Sequence, residues 1–414
     1  MILLAEDLTF KCDCKREHSV LTKKIIVEAG ALNDLITEMK NCGLHGRTTA
    51  VFDNNTKQAV KEYDLIFDDE IILSPDDLHA DETSTAKVMS LLGETDILVA
   101  VGSGTVHDIV RWCANELKIP FVSCPTAASV DGFCSSVSAM TWYGFKKTMP
   151  GTAPVLVIAD TNILQKAPMR LTRSGLGDMI GKHISLADWK ISKILAGEYY
   201  CENIAGMTAR ALDSVKESAG GLISGNLDSY EKLIYGLLLS GISMQLAGNS
   251  RPASGAEHHV SHLIEMGTVV KNDALHGEKV GVASIEVSRI YHKLRGLTNA
   301  QVSGIIKDYA GIDKKAVSGV YKELSHSIFE ENQNDCAAEI DKKVIVENWG
   351  KIKEVLSEIP SPEYLKDILL SADAKTDFSD IGILAGKINE IIRYSPLVRN
   401  RLTLMRVASG FGLF

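Results

Sequence analysis

The sequence predicts an α/β amino-terminal, Rossmann-like domain over residues 1–168, followed by an all-helical carboxyl-terminal domain over residues 169–414. Three observations carry that expectation. Short apolar runs alternate with helical patterns through the first 165 residues or so; from about Leu171 onward, long segments show apolar residues at spacings of three and four. The chain is also long, 414 residues with 45% hydrophobic against 23% charged, which is enough apolar surface for two cores.

Taken in order, Ala31 to Met39 reads as helix, Thr48 to Phe52 as a strand ending at Asp53, Glu70 to Leu73 as a strand, and Ala86 to Leu92 as helix. Ile97 to Val101 is an uninterrupted apolar strand running into Gly102, Val106 to Leu117 is helical, and Pro120 to Ser123 and Val155 to Ile158 are further strands. Strands separated by helices imply parallel crossover units, because parallel neighbours need a long connection and the helix covers the sheet face. Tyr230 to Leu246 and Ala337 to Ile359 read as long helices. The linker is placed at Gln165 to Arg173, where Pro168 and several basic side chains interrupt both periodicities.

The formal charge of −9 repels phosphate backbones and anionic lipid, so nucleic acid is not an expected partner. No apolar run reaches the roughly 20 residues that span a bilayer, and the start is charged too early for a signal-peptide core, so no membrane insertion is expected and the location is expected to be cytoplasmic. The eight cysteines are too sparse for a disulfide scaffold and are read as reduced thiols.

Two loops suit an anionic ligand. After the strand at Ile97, the residues Gly102, Ser103, Gly104, Thr105 and Val106 open a helix, and a glycine pair there lets backbone N–H groups approach a pyrophosphate at a helix N-terminus. A full dinucleotide fingerprint needs a third glycine, so a tight strand-to-helix turn is an equal reading of the spacing. Asp53, at the end of its strand, has the carboxylate that reads ribose hydroxyls and rejects a 2′-phosphate, but Asp53-Asn54-Asn55 is equally the start of a turn. The second loop, Cys124 to Gly132, offers small and hydroxyl side chains at the carboxyl end of a strand.

In the helical half, His258 and His262 are four residues apart and share a helix face, while His259 points about 100° away. His276 opens a further segment, and Asp178 lies in Gly175-Leu176-Gly177-Asp178, read as a helix start. One carboxylate and two or three imidazoles suit a borderline divalent ion, zinc or nickel; packed or exposed histidines are the competing reading. Position 259 is histidine where a zincin has its general-base glutamate, which disfavours peptide hydrolysis. Lys182, one turn after Asp178, reads as a surface ion pair worth little.

Five blocks, Gly102 to Asp108, Pro125 to Gly132, Gly175 to Asp178, Ser254 to His262 and Leu275 to Glu278, occur in the order seen in the glycerol-1-phosphate dehydrogenase family. The chain resembles that family from about residue 48 to 285, within the wider group of iron-type alcohol dehydrogenases, glycerol dehydrogenases and dehydroquinate synthases. The resemblance implies NAD or NADP on the amino-terminal domain and one divalent ion, zinc or nickel with iron as a third option, in the cleft. It assigns Asp178, His258 and His276 as metal ligands, with Asp178 also close to substrate, and His262 and Asp131 as substrate-contacting catalytic residues. It assigns Gly102, Ser103, Gly104, Thr105, Val106, Thr126, Ala127, Ala128, Ser129 and Ser135 to the dinucleotide, with Asp53 where the adenosine ribose is read. Ser103 stands where many relatives carry glycine, which questions the freedom of that loop.

The expected reaction is hydride transfer between a nicotinamide and C2 of a phosphorylated triose, interconverting dihydroxyacetone phosphate and sn-glycerol 1-phosphate. With so acidic a chain the substrate phosphate needs local donors, and Lys146, Lys147 and Arg251 lie nearest the motifs. The alternatives are a glycerol or other polyol dehydrogenase and a lyase like dehydroquinate synthase. A homo-oligomer is expected on base rate.

Overall fold

Strands β3 (Thr48–Asp53), β5 (Ile97–Gly102), β6 (Phe121–Pro125) and β9 (Leu156–Asp160) are buried at every residue, which is why they read as continuous apolar runs and not as alternating ones. In the computed structural model, which describes residues 1–413, they form the centre of a seven-stranded sheet in the order β1-β2-β9-β6-β5-β3-β4. Here β1 is Ile2–Leu4, β2 is Lys24–Glu28 and β4 is Asp69–Leu73; all pairings are parallel except β1 with β2 at one edge. Alternate residues serve opposite faces: Ile97, Val99 and Val101 pack with Phe52 and Val122, while Leu98 and Ala100 pack with Val106 and Ile109. On β9, Val157 and Ala159 pack against Leu176, Met179 and Leu238 of the helical half, so the sheet and the helices share a core.

The strands expected from the sequence are present, and four further strands, β1, β2 and two more, have no sequence signal. Strands β1 and β2 escape a periodicity reading because both are short and β2 is flanked by Lys24 and Glu28. The other two, β7 (Val137–Trp142) and β8 (Phe145–Pro150), form a hairpin outside the main sheet. Its turn, Tyr143-Gly144, has φ of 48° and 79°, the pair of left-handed residues that matches the twist of a tight hairpin.

Beyond β9 the described residues contain helices and turns and no strand. The expected linker is not a loop: helices Thr161–Lys166 and Met169–Ile180 flank Ala167 and Pro168, whose missing N–H costs nothing at a helix entry. Gly175 to Asp178 are therefore the later part of a helix, not its start. The long helix expected from Ala337 to Ile359 is two, Lys342–Glu347 and Trp349–Ser357, parted at Asn348. No helix among the described residues is long and apolar enough to cross a membrane.

Candidate active site

The chain leaves β3 for β4 on one side and returns to β5 on the other, so the carboxyl ends of β3 and β5 flank a reversal of strand order, where open α/β sheets bind ligands. Gly102 ends β5, Ser103 precedes the helix Gly104–Leu117, and the helix N-terminus presents free N–H groups. A Cβ on Gly102 would stand 2.6 Å from Val106 Cβ, and one on Gly104 2.7 Å from Val130 Cγ2, so both glycines are required by close approach. Ser103 has φ of −87°, ordinary for any residue, so the serine imposes no backbone strain. Val106 is a buried core side chain. Thr126 N donates to the Gly102 carbonyl at 2.9 Å, tying the second loop to the first; Ala127 and Ala128 are buried behind it, and the buried Ser129 hydroxyl has no partner. Asp53 is a helix cap: its carboxylate accepts from Thr56 N at 2.8 Å, with Oδ2 outside that bond.

A cleft of about 460 Å³ lies between the halves, lined on the sheet side by Gly104, Thr105, Asp131 and Ser135 and on the helical side by His258, His262, Glu265 and His276. Helix Ala256–Glu265 carries His258 and His262 into it and is buried from Ala256 to Ile264. Its N-terminus is buried too and is satisfied by two carboxylates, Gly255 N donating to Glu257 at 2.8 Å and Ala256 N to Asp188 at 2.8 Å. His276 is the first residue of helix His276–Arg295. That helix crosses Met169–Ile180 in backbone contact: a Cβ on Gly177 would stand 2.1 Å from the Gly277 carbonyl oxygen, and one on Gly277 1.7 Å from that of Ser174. The glycines thus bring Asp178 and His276 together.

Asp178, His258 and His276 each offer a ligand atom within 4.8 Å of the other two. His258 Nδ1 bonds Glu257 at 2.6 Å, which leaves Nε2 facing Asp178 Oδ1 at 3.6 Å; His276 Nδ1 bonds Glu265 at 2.7 Å, which turns its other nitrogen away. A carboxylate behind each imidazole is the usual support of a metal-ligating histidine, and the donor set fits a borderline divalent ion. His262 stands with its ring centroid 6.0 Å from both other rings, its buried Nδ1 without a partner, and burial holds it well below its ordinary pKa, as a neutral imidazole. Burial pushes His276 down as well, but Glu265 and Asp178 lift it above its usual range, the negative field a cation would also feel. His259 is buried apart, with neither ring nitrogen bonded.

Lys182 corrects the surface-pair expectation. It is fully buried, with Nζ 2.7 Å from both Asp178 Oδ1 and Asp131 Oδ2 and donating to the Ala253 carbonyl at 3.0 Å. Burial pushes the Asp178 carboxyl up, yet Lys182 together with His276 and His258 outweighs it and holds the group at about 2. Asp131 also accepts from Ser240 Oγ at 2.8 Å, and its N–H donates to Asp178 at 3.0 Å. Of the expected phosphate donors, Lys146 lines the cleft, with Nζ 3.2 Å from Glu265, whereas Lys147 is exposed at a neighbouring hairpin position and does not line it. Arg251 is buried elsewhere, paired with Glu198 and donating to the Leu402 carbonyl. Lys279 lines the cleft instead. Glu257, Glu265 and Lys279 carry no sequence signal of a role, although Lys279 falls one helical turn after His276, as Lys182 does after Asp178.

The chain matches the family described as iron-containing alcohol dehydrogenase over residues 26–168. It is 38% identical over 298 residues to a glycerol-1-phosphate dehydrogenase [NAD(P)+] of Bacillus licheniformis, covering 69% of this chain and 74% of that one. A protein of the same description from Geobacillus stearothermophilus is 30% identical over 413 residues, 96% of this chain and 95% of its own length. Among solved structures, an iron-containing alcohol dehydrogenase from Corynebacterium glutamicum superposes with a TM-score of 0.59 at 18% identity, covering 96% of this chain and 97% of that one, a likeness of fold.

Proposed function

The chain belongs to the glycerol-1-phosphate dehydrogenase family, and from that premise we propose that it interconverts dihydroxyacetone phosphate and sn-glycerol 1-phosphate. In the reducing direction, dihydroxyacetone phosphate, NAD(P)H and a proton give sn-glycerol 1-phosphate and NAD(P)⁺. The observation that carries the reading is the convergence of Asp178 with His258 and His276, two histidines lining the cleft whose far wall is the Gly104 helix N-terminus. A nicotinamide dinucleotide and a metal ion fit this family, and we assign zinc or nickel, with iron as a third option.

Gly102 to Val106, Thr126 to Ser129 and Ser135 would hold the dinucleotide, chiefly through backbone N–H groups, and Asp53 the adenosine ribose. Asp178, His258 and His276 would hold the metal, which when bound supplies Lewis acidity at the C2 oxygen. Lys182 holds the Asp178 and Asp131 carboxylates in place through its two ion pairs. Asp131 orients a substrate hydroxyl, and His262, neutral at working pH, donates or accepts a proton at its free nitrogen. Lys146 and Lys279 are the cations placed to receive the phosphate. We divide the chain functionally after residue 168 and expect a cytoplasmic homo-oligomer.

The test is turnover of dihydroxyacetone phosphate with NADH, before and after chelation and again after adding zinc or nickel. Loss and recovery are expected. Unchanged turnover after complete metal removal would refute the metal's role, equal turnover of unphosphorylated dihydroxyacetone would favour a polyol dehydrogenase, and no net NADH oxidation would favour the lyase.

A further inference from the structure

Far from the cleft in sequence, the segment joining β1 to β2 reads Lys11-Cys12-Asp13-Cys14-Lys15-Arg16-Glu17-His18. It folds so that Cys12, Cys14 and His18 meet Cys201, the residue before helix Glu202–Ser218. Cys12 Sγ lies 3.8 Å from Cys201 Sγ, and His18 Nε2 lies 3.7, 3.1 and 3.0 Å from the sulfurs of Cys201, Cys12 and Cys14. Four donors at the corners of a tetrahedron about a zinc ion, with bonds of roughly 2.0–2.3 Å, stand about 3.5–3.8 Å apart, so two of these edges already have that length. The Cys12 and Cys14 sulfurs are closer still, at 2.8 Å, and would have to part by about 1 Å to occupy two such corners.

The imidazole is set for the same task. His18 is buried, and its Nδ1 bonds the Leu246 carbonyl at 3.0 Å, at the end of helix Leu227–Ala247; that bond fixes the proton on Nδ1 and leaves the Nε2 lone pair aimed at the three sulfurs. Arg16 lies over the Tyr199 ring at 3.6 Å, and the Tyr199 hydroxyl is 3.6 Å from Cys14 Sγ, so a positive group borders the cluster.

We propose that Cys12, Cys14, His18 and Cys201 form a second, structural metal site that takes zinc. Three thiols release their protons to solvent as three zinc–sulfur bonds form, His18 gives its Nε2 lone pair, and the complex carries a net charge of −1 beside Arg16. All four positions are filled by protein, which leaves none for a substrate and distinguishes it from the nitrogen and oxygen set in the cleft. Its effect is mechanical. It clamps the amino-terminal segment to two helices of the other half, one of which also holds Thr22 through Gln245 and Asp131 through Ser240.

The experiment loads the full, reduced chain with cobalt(II) as a zinc substitute and titrates it optically. A thiolate-to-cobalt charge-transfer band and tetrahedral d–d bands are expected at one equivalent, retained when His258→Ala and His276→Ala empty the cleft site, and lost in Cys14→Ser and Cys201→Ser. Zinc content should fall from one equivalent to none between the His258→Ala/His276→Ala protein and the same protein with Cys12→Ser. Where a cysteine variant fails to fold, the cobalt spectrum of the unaltered chain decides. Absence of a thiolate band there, or a Cys12–Cys14 disulfide in metal-free protein isolated from cells, would overturn the site.

Discussion

Gly177 and Gly277 lie in backbone contact, a Cβ on the first standing 2.1 Å from the carbonyl oxygen of the second. Asp178 and His276 are the chain neighbours of these two glycines, so the crossing of their helices sets the distance between two proposed metal ligands. Gly177→Ala should push the helices apart, and a displacement near 1 Å at such a site costs about 10²-fold in kcat/KM, with weaker metal binding alongside. Gly350→Ala is the control: it has open space in helix Trp349–Ser357 and should be neutral or stabilising by about 0.5–1 kcal/mol. Equal activity in the two variants would contradict the account.

Lys182→Met removes the buried cation between Asp178 and Asp131 and should destabilise the metal-free protein by about 3–5 kcal/mol at neutral pH. The pH dependence has a definite sign. With Lys182 present, the Asp178 carboxyl lies at about 2, below the 3.8 of an ordinary aspartate, so the native state binds fewer protons than the unfolded chain. That contribution is complete above roughly pH 4 and is lost as pH falls through about 2. Without Lys182, burial dominates and raises the carboxyl, so acid relieves the variant and its deficit shrinks as pH is lowered. Denaturant midpoints measured across a pH series check this; a deficit that stays constant would count against it.

Glu265 accepts from His276 Nδ1 at 2.7 Å, which fixes the tautomer of a proposed ligand. Glu265→Gln should weaken zinc or nickel binding about 10–100-fold without unfolding the chain. Competition with a chelator of known affinity measures it, and unchanged affinity would show that His276 needs no such support.

Lys146 reaches the cleft from the β7–β8 hairpin. Lys146→Ala should raise KM for dihydroxyacetone phosphate about 10–100-fold, the worth of a hydrogen bond to a charged group, and leave any slow turnover of dihydroxyacetone unaltered. A proportional change for both substrates would place Lys146 elsewhere in the reaction.

Much of this was readable along the chain because it depends on local spacing. Val99 and its neighbours form a strand buried on both faces, and such a strand must be apolar throughout; Gly102 and Gly104 mark where backbone is approached closely; His258 and His262 share a face because four residues make about one helical turn. The family blocks added the order in which these pieces occur. By contrast, nearness in sequence misleads for Lys147 and Arg251: neighbouring strand residues point to opposite faces, which separates Lys147 from Lys146, and Arg251 is buried against Glu198.

Local pattern along the chain is enough to give the alternation of strands and helices, the helical second half, the glycine turn after β5 and the residue types of the cleft. Chain packing is what makes Lys182 a buried cation between two carboxylates, sets Glu257 and Glu265 behind the imidazoles, and joins Cys201 to Cys12, Cys14 and His18. The reason is one of range: periodicity and turn chemistry act over a few residues, whereas burial and charge pairing depend on partners brought together by chain packing, here across as many as 189 positions between Cys12 and Cys201.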